Sequence, residues 1–146
     1  MRKAARGSVF ILTLFVAVIG YAQSPNYDMG PVWRVTYYRI KPGQGDAFWK
    51  DFRDNLKPIY EQAKKEGWLL DYKAWVNFTT DSPGDWDVAV GTLVPNWATL
   101  DQIDTKAGSL VTKHYGSREA MLNAAKLRAD IREVVASKVA REVMPK

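Results

Sequence analysis

The chain has 146 residues, 47% of them hydrophobic and 12% aromatic, with no cysteine, one histidine and a formal charge of +5. The length suffices for one domain-sized core. The missing cysteines exclude disulfides, a cysteine nucleophile and lipid attachment through a thiol, and a lone histidine excludes a multi-histidine zinc centre. Arg2, Lys3 and Arg6 lie in the leader, and without them 18 basic residues face 16 acidic ones, a charge of +2. Those charges alternate in sign and form no cationic block, so the composition argues against a nucleic-acid partner.

Residues 1–22 combine that basic start with an apolar run, Val9–Ile19, and small residues before a cut after Ala22. This is the pattern of a secretory signal peptide, which places the mature protein in the periplasm or the external medium, with no membrane association after cleavage. The rival, an uncleaved anchor, needs about 20 predominantly apolar residues. Here Gly20, Gln23, Ser24, Pro25 and Asn26 interrupt the run.

Residues 23–31 read as a flexible lead-in, and residues 32–146 as a single domain. Val32–Ile40 is rich in β-branched and aromatic residues and predicts a strand. Trp33, Val35 and Tyr37 fall on one face, and Arg34, Thr36 and Tyr38 on the other. Lys41–Gly45 breaks the strand, and Asp46 is positioned to cap a helix over Ala47–Glu66. Phe48, Phe52, Leu56, Ile59 and Ala63 share a face of that helix. Pro58 predicts a bend within it, and Gly67 its stop. Trp68–Asn77 and Trp86–Val94 predict two further strands around a turn holding Asp81, Pro83 and Gly84. In the first of these strands Leu70, Tyr72, Ala74 and Val76 are expected on one side, and Leu69 and Trp75 on the other. Asn96 caps a short helix, Trp97–Asp104. Thr105–Gly116 reads as irregular, and Ser117 caps another helix. Ile131, Val135, Val139 and Val143 recur every fourth residue, a spacing compatible with a helix or with one face of a strand. The order strand–helix–strand–strand–helix calls for a closing strand, placed around Arg132–Val143, as in a ferredoxin-like α+β fold.

Catalytic patterns are sparse. No Gly-x-Ser-x-Gly elbow occurs, and Gly43-x-Gly45 lacks the third glycine and the context of a dinucleotide fingerprint. Asp81, Asp85 and Asp87 near one turn suit local backbone bonds better than a metal, so no metal or cofactor is expected. The informative feature is six tryptophans and seven tyrosines. They fill a core and a subunit interface, or they line a pocket for a planar or apolar ligand. On the pocket reading the candidate ligand-binding residues are Arg34, Tyr38, Tyr72, Trp75 and Trp97. His114, beside Tyr115, is the candidate acid–base group or haem ligand.

The runs Tyr37-Tyr38-Arg39-Ile40-Lys41-Pro42-Gly43, Leu56-Lys57-Pro58-Ile59-Tyr60 and Asn96-Trp97-Ala98-Thr99-Leu100 resemble those of a group of secreted bacterial proteins. That group is similar to the dimeric α/β-barrel superfamily, which includes antibiotic-biosynthesis monooxygenases and NIPSNAP-type proteins. The resemblance covers residues 32–104, with weaker agreement beyond. It implies an antiparallel sheet with helices on one face, a homodimer formed through the other face, and a pocket in each subunit. It implies no single reaction, since members include cofactor-independent oxygenases, haem-binding or haem-degrading proteins and others. The Asn, Trp and His set of the haem-degrading members has no match here.

The expectation is therefore a secreted module that binds a small apolar or aromatic ligand. The alternative is a cofactor-independent oxygenase acting on an aromatic substrate, with Tyr38, Tyr72 and Trp97 positioning it and Arg34 or His114 polarising it.

Overall fold

The computed structural model describes residues 26–79 and 82–146. The proposed leader and Asp81 lie outside the described residues. Four strands are present: β1 (Tyr27–Ile40), β2 (Asp71–Val76), β3 (Val88–Val94) and β4 (Arg132–Pro145). The helices are α1 (Gly45–Asp51), α2 (Lys57–Lys65), α3 (Trp97–Asp101), α4 (Ile103–Tyr115) and α5 (Arg118–Ile131). Every neighbouring pair in the sheet is antiparallel, in the order β2-β3-β1-β4. With the helices on one face, this is the ferredoxin-like arrangement expected from the order of elements.

The strand β1 begins earlier than the sequence pattern suggests, because Pro31 was read as lead-in. Its pairing with β3 starts at Val32↔Val94, and a register shift between Met29 and Val32 separates two stretches of its pairing with β4. The proline thus sits at an irregularity where its missing N–H costs no regular ladder bond. The helix expected over Ala47–Glu66 is also divided. A π-helical turn, Phe52–Leu56, joins α1 to α2, and Pro58 occupies the first turn of α2. Proline cannot donate to the carbonyl one turn back and its ring crowds that oxygen, so the widened turn ahead of it relieves both problems. Asp46 does not cap α1. Gln44 holds the cap position without a side-chain bond, and Asp46 lies in the first turn.

Two other expectations change. The residues expected to be irregular form α4, with Ile103, Ala107 and Leu110 directed at the core and Gly116 ending it at φ +74°. Strand β2 starts only at Asp71, so alternation does not extend back through Trp68–Leu70. Leu69 is buried with the core and Leu70 is exposed. Elsewhere the caps are as read: Asn96 Oδ1 accepts from the Thr99 N–H at 2.9 Å, and Ser117 Oγ from the Ala120 N–H at 3.1 Å. The C-terminal valines lie on a strand, not a helix.

The core has two halves. Val32, Ile59, Ala63, Leu69, Val94, Ile103 and Leu110 fill one, and Phe48, Phe52, Val88 and Val90 the other. Tyr60 and Tyr72 pack against both, with ring centroids 5.1 Å apart. An aromatic chain continues from them through Phe52, Trp49 and Phe48 to Tyr38. Burying such large rings is the main term holding helices to sheet.

Candidate functional site

Alternation along β1 sends Arg34, Thr36 and Tyr38 to the helix-covered face of the sheet. There they meet Val90 and Thr92 of β3, Ile59 and Tyr60 of α2, and Ile103 and Ala107 of α4 around a cavity of about 140 Å³. The floor is sheet and the walls are helices, the site architecture expected of a two-layer α+β domain. Its apolar portion comes from Ile59, Leu69, Val90 and Ile103. Its polar portion comes from one guanidinium and a set of hydroxyls.

Those polar groups are differently engaged. Arg34 Nη1 donates to Asp104 Oδ1 at 3.0 Å, and the Asp104 side chain is 86% exposed against 32% for Arg34. Thr92 Oγ1 makes a long bond, 3.4 Å, to the Arg34 carbonyl. The hydroxyls of Thr36, Tyr38 and Tyr60 have no hydrogen-bond partner among the described residues. Burial, reinforced by neighbouring Tyr38, pushes the Tyr60 hydroxyl up to about 12, against the pull of Arg132, Arg34 and Arg128. At neutral pH it is therefore a proton donor and not a base.

The remaining sequence candidates scatter. Tyr72 lies behind Tyr60 instead of lining the cavity. Its hydroxyl donates to Glu61 at 2.6 Å, and burial together with that carboxylate pushes it up to about 12. Trp75 is on the opposite face of the sheet, edge-on to Trp33 at 5.8 Å. Both rings crowd Gly91, where an added Cβ would come within 2.8 Å of Trp75. Trp97 opens α3 and is half exposed, away from the cavity. His114 belongs to a separate groove with Pro58, Gln62, Leu110 and Lys113, and its Nε2 lies 3.1 Å from Asn55 Oδ1. Since that pair is exposed, His114→Ala is expected to change the unfolding free energy by less than about 1 kcal/mol in urea titrations. Asp85 and Asp87 engage nearby groups: Asp87 accepts from the Ile40 N–H at 2.7 Å and Asp85 from the Trp86 N–H at 2.9 Å.

Sequence reasoning therefore assembled only Arg34 and Tyr38 at this cavity. Thr36 was legible from the same alternation, and Tyr60 from its place beside Ile59 on the buried side of its helix. Ala107 falls in Thr105–Gly116, which the sequence pattern reads as irregular, and Asp104 at the end of the expected helix Trp97–Asp104 instead lies in the first turn of α4.

The opposite face carries a broad, shallow apolar groove of about 480 Å³ formed by Trp33, Val35, Tyr37, Trp75, Trp86 and Ala140. Lys73 and Lys138 lie over the Trp33 and Tyr37 rings at 5.5 and 5.6 Å.

No family model matches the chain. No curated protein matches it either. Solved structures do share its fold. HapK from Hahella chejuensis superposes with a TM-score of 0.50 and 10% identity, over 76% of this chain and 91% of that one. Protein SO0527 from Shewanella oneidensis gives 0.52 and 16%, over 81% and 98%. At such identities the likeness concerns fold alone.

Proposed function

We propose that this protein binds a small apolar or aromatic molecule in the cavity between its sheet and helices. One observation carries the reading: a cavity lined partly by Ile59, Leu69, Val90 and Ile103 also presents three hydroxyls, of Thr36, Tyr38 and Tyr60, that no described protein group satisfies. None of the three is a buried unpaired atom, since among the described residues that description fits Arg132 Nη1 alone, so they reach solvent and are open to a ligand. Hydroxyls beside apolar side chains in one cavity suit a ligand with one polar end. Binding is preferred to oxygenase chemistry because the sole histidine faces a different groove. The acid–base candidates at the cavity are phenols, and Tyr60 is held protonated.

The test fills the cavity. Ala107 lies in the helical wall of the cavity, and Ala107→Leu keeps a strong helix former while adding three carbons that reach into the space. Benzyl alcohol, a neutral one-ring probe, should bind the unaltered protein saturably at millimolar concentration and shift the amide resonances of Tyr60, Val90 and Ile103. The variant, still folded by circular dichroism, should lose at least tenfold in affinity. Undiminished binding would locate the probe elsewhere and overturn the reading.

The same reading includes secretion and a homodimer. Support for secretion is the leader pattern of residues 1–22, and removal of those residues from protein recovered outside the cytoplasm, read by intact mass, is the check. Support for a homodimer is the aromatic outer face of the sheet. An antiparallel sheet packed on one side is usually polar on the other, and an apolar patch of this extent marks a contact surface.

A further inference from the structure

The cavity carries a positive bias that an apolar ligand would not use. Three guanidiniums, of Arg34, Arg128 and Arg132, act on the Tyr60 hydroxyl. Two of these are already committed to a carboxylate inside the fold. Asp51 takes Arg128 at 2.8 Å and lies 3.6 Å from Arg132. Glu61, the other carboxylate near the aromatic cluster, is occupied by the Tyr72 hydroxyl. Arg34 differs, because its partner Asp104 stands almost wholly in water. Exposed ion pairs hold weakly, by less than about fivefold in an equilibrium constant. Asp104 also loses little when released, since it sits in the first turn of α4, where the helix dipole and solvent both stabilise a negative charge.

Building on the binding reading above, we propose that the ligand is a one-ring aromatic carboxylate that takes the place of Asp104 on Arg34. Its ring lies among Ile59, Tyr60, Val90 and Ile103, and its carboxylate accepts from the guanidinium. Three features select this class. The planar guanidinium fork matches a carboxylate in two parallel bonds. A single cation whose own partner is exposed and displaceable balances one negative charge, which disfavours a phosphate dianion. The size sets the ring count, since an apolar cavity of about 150 Å³ holds one benzene, close to the 140 Å³ here.

Calorimetric titration of the protein as its host produces it, with benzoate and with its neutral isostere benzamide, decides the matter. Benzoate should bind at least about tenfold more tightly than benzamide, the discrimination of one charge-assisted contact. Asp104→Asn removes the competing anion from an exposed position and should tighten benzoate about threefold while leaving benzamide unchanged. Arg34→Gln should reduce benzoate to the affinity of benzamide. Equal affinity for the two probes, or no response of benzoate to Asp104→Asn, would overturn the carboxylate assignment and leave the cavity reading standing. Benzoate binding that survives Ala107→Leu would also overturn it, by placing the anion outside the cavity. Binding of neither probe, nor of benzyl alcohol, would overturn both readings together.

Discussion

Asp51→Asn should cost about 3 kcal/mol or more of unfolding free energy, and urea titration at neutral pH measures it. Asp51 at the end of α1 accepts from Arg128 Nε at 2.8 Å and Nη2 at 3.2 Å, and the Arg132 side chain beside it is only 9% exposed. Arg128 also reaches the Tyr115 hydroxyl, while Arg132 lies over the Tyr38 and Phe48 rings at 4.5 and 5.1 Å. Arg132 Nη1 is buried without a hydrogen bond among the described residues, so its charge depends on Asp51 and on the two ring faces. Removing one member of a buried ion pair typically costs about 3–5 kcal/mol, because the other charges stay buried and unpaired. The isosteric amide keeps the shape, removes the charge and sets one N–H donor against the donors of Arg128 or Asn55. Adding Arg132→Met, which takes away the worst-placed cation, should restore part of the loss. Unchanged stability in Asp51→Asn would mean that the rings and Tyr115 suffice.

The same carboxylate predicts an acid dependence. Burial opposes ionisation of Asp51, but bonds from Arg128 and Asn55 and the charges of Arg128 and Arg132 hold it below the usual aspartate value. A group whose folded-state value is depressed contributes fully above its unfolded value, about 3.9, and loses that contribution as pH falls through the folded one. The stability gap between the protein and Asp51→Asn should thus narrow below pH 3.9 or so. Because Arg132 supports Tyr38, which lines the cavity, the variant should also bind benzyl alcohol more weakly.

What was legible in the sequence tracks how local the determining physics is. The faces of β1 followed from strict alternation, and Gly67 as a helix stop from its unique tolerance of positive φ, observed at +78°. The caps Asn96 and Ser117 are bonds spanning three residues and were equally visible. The failures are non-local. Whether Leu69 or Leu70 reaches the core depends on where pairing with β3 begins, at Asp71↔Leu93. Helix α4 was obscured by Thr105, Gly108, Ser109 and Thr112, weak helix formers that prevail only because Ile103, Ala107 and Leu110 find the core.

The candidate site shows the same division. Arg34 and Tyr38 share a strand face, so one periodicity placed both. Trp75 and Trp97 were grouped with them by chemistry alone, and the sheet and α3 carry them elsewhere. No periodicity signals the Asp51–Arg128–Arg132 cluster either, since its members lie on α1, α5 and the start of β4, joined only when the last strand returns beside the first.

Trp75→Lys should convert a homodimer into a monomer. Trp75 is 40% exposed on the outer face, where it packs edge-on against Trp33 and lies over Gly91. In a face-to-face dimer that ring is buried and, by two-fold symmetry, the substitution enters the interface twice. Each copy would then bury an ammonium close to Lys73, with no carboxylate opposite in sequence register, since β2 pairs Trp75 with Ala89. Burying even one unpaired charge costs several kcal/mol, so dissociation should strengthen by more than about a hundredfold. Analytical ultracentrifugation at micromolar concentration reads the change. Far-ultraviolet circular dichroism separates dissociation from unfolding, and Val35→Lys, on the same outer face in β1, serves where Trp75→Lys does not fold. A dimer that survives both substitutions would place the subunit contact elsewhere, with the exposed valines Val134, Val135, Val139 and Val143 of edge strand β4 as the surface to examine. A monomer in the unaltered protein would leave the outer face for another partner. The cavity, enclosed by elements of one chain, would bind its ligand in either case.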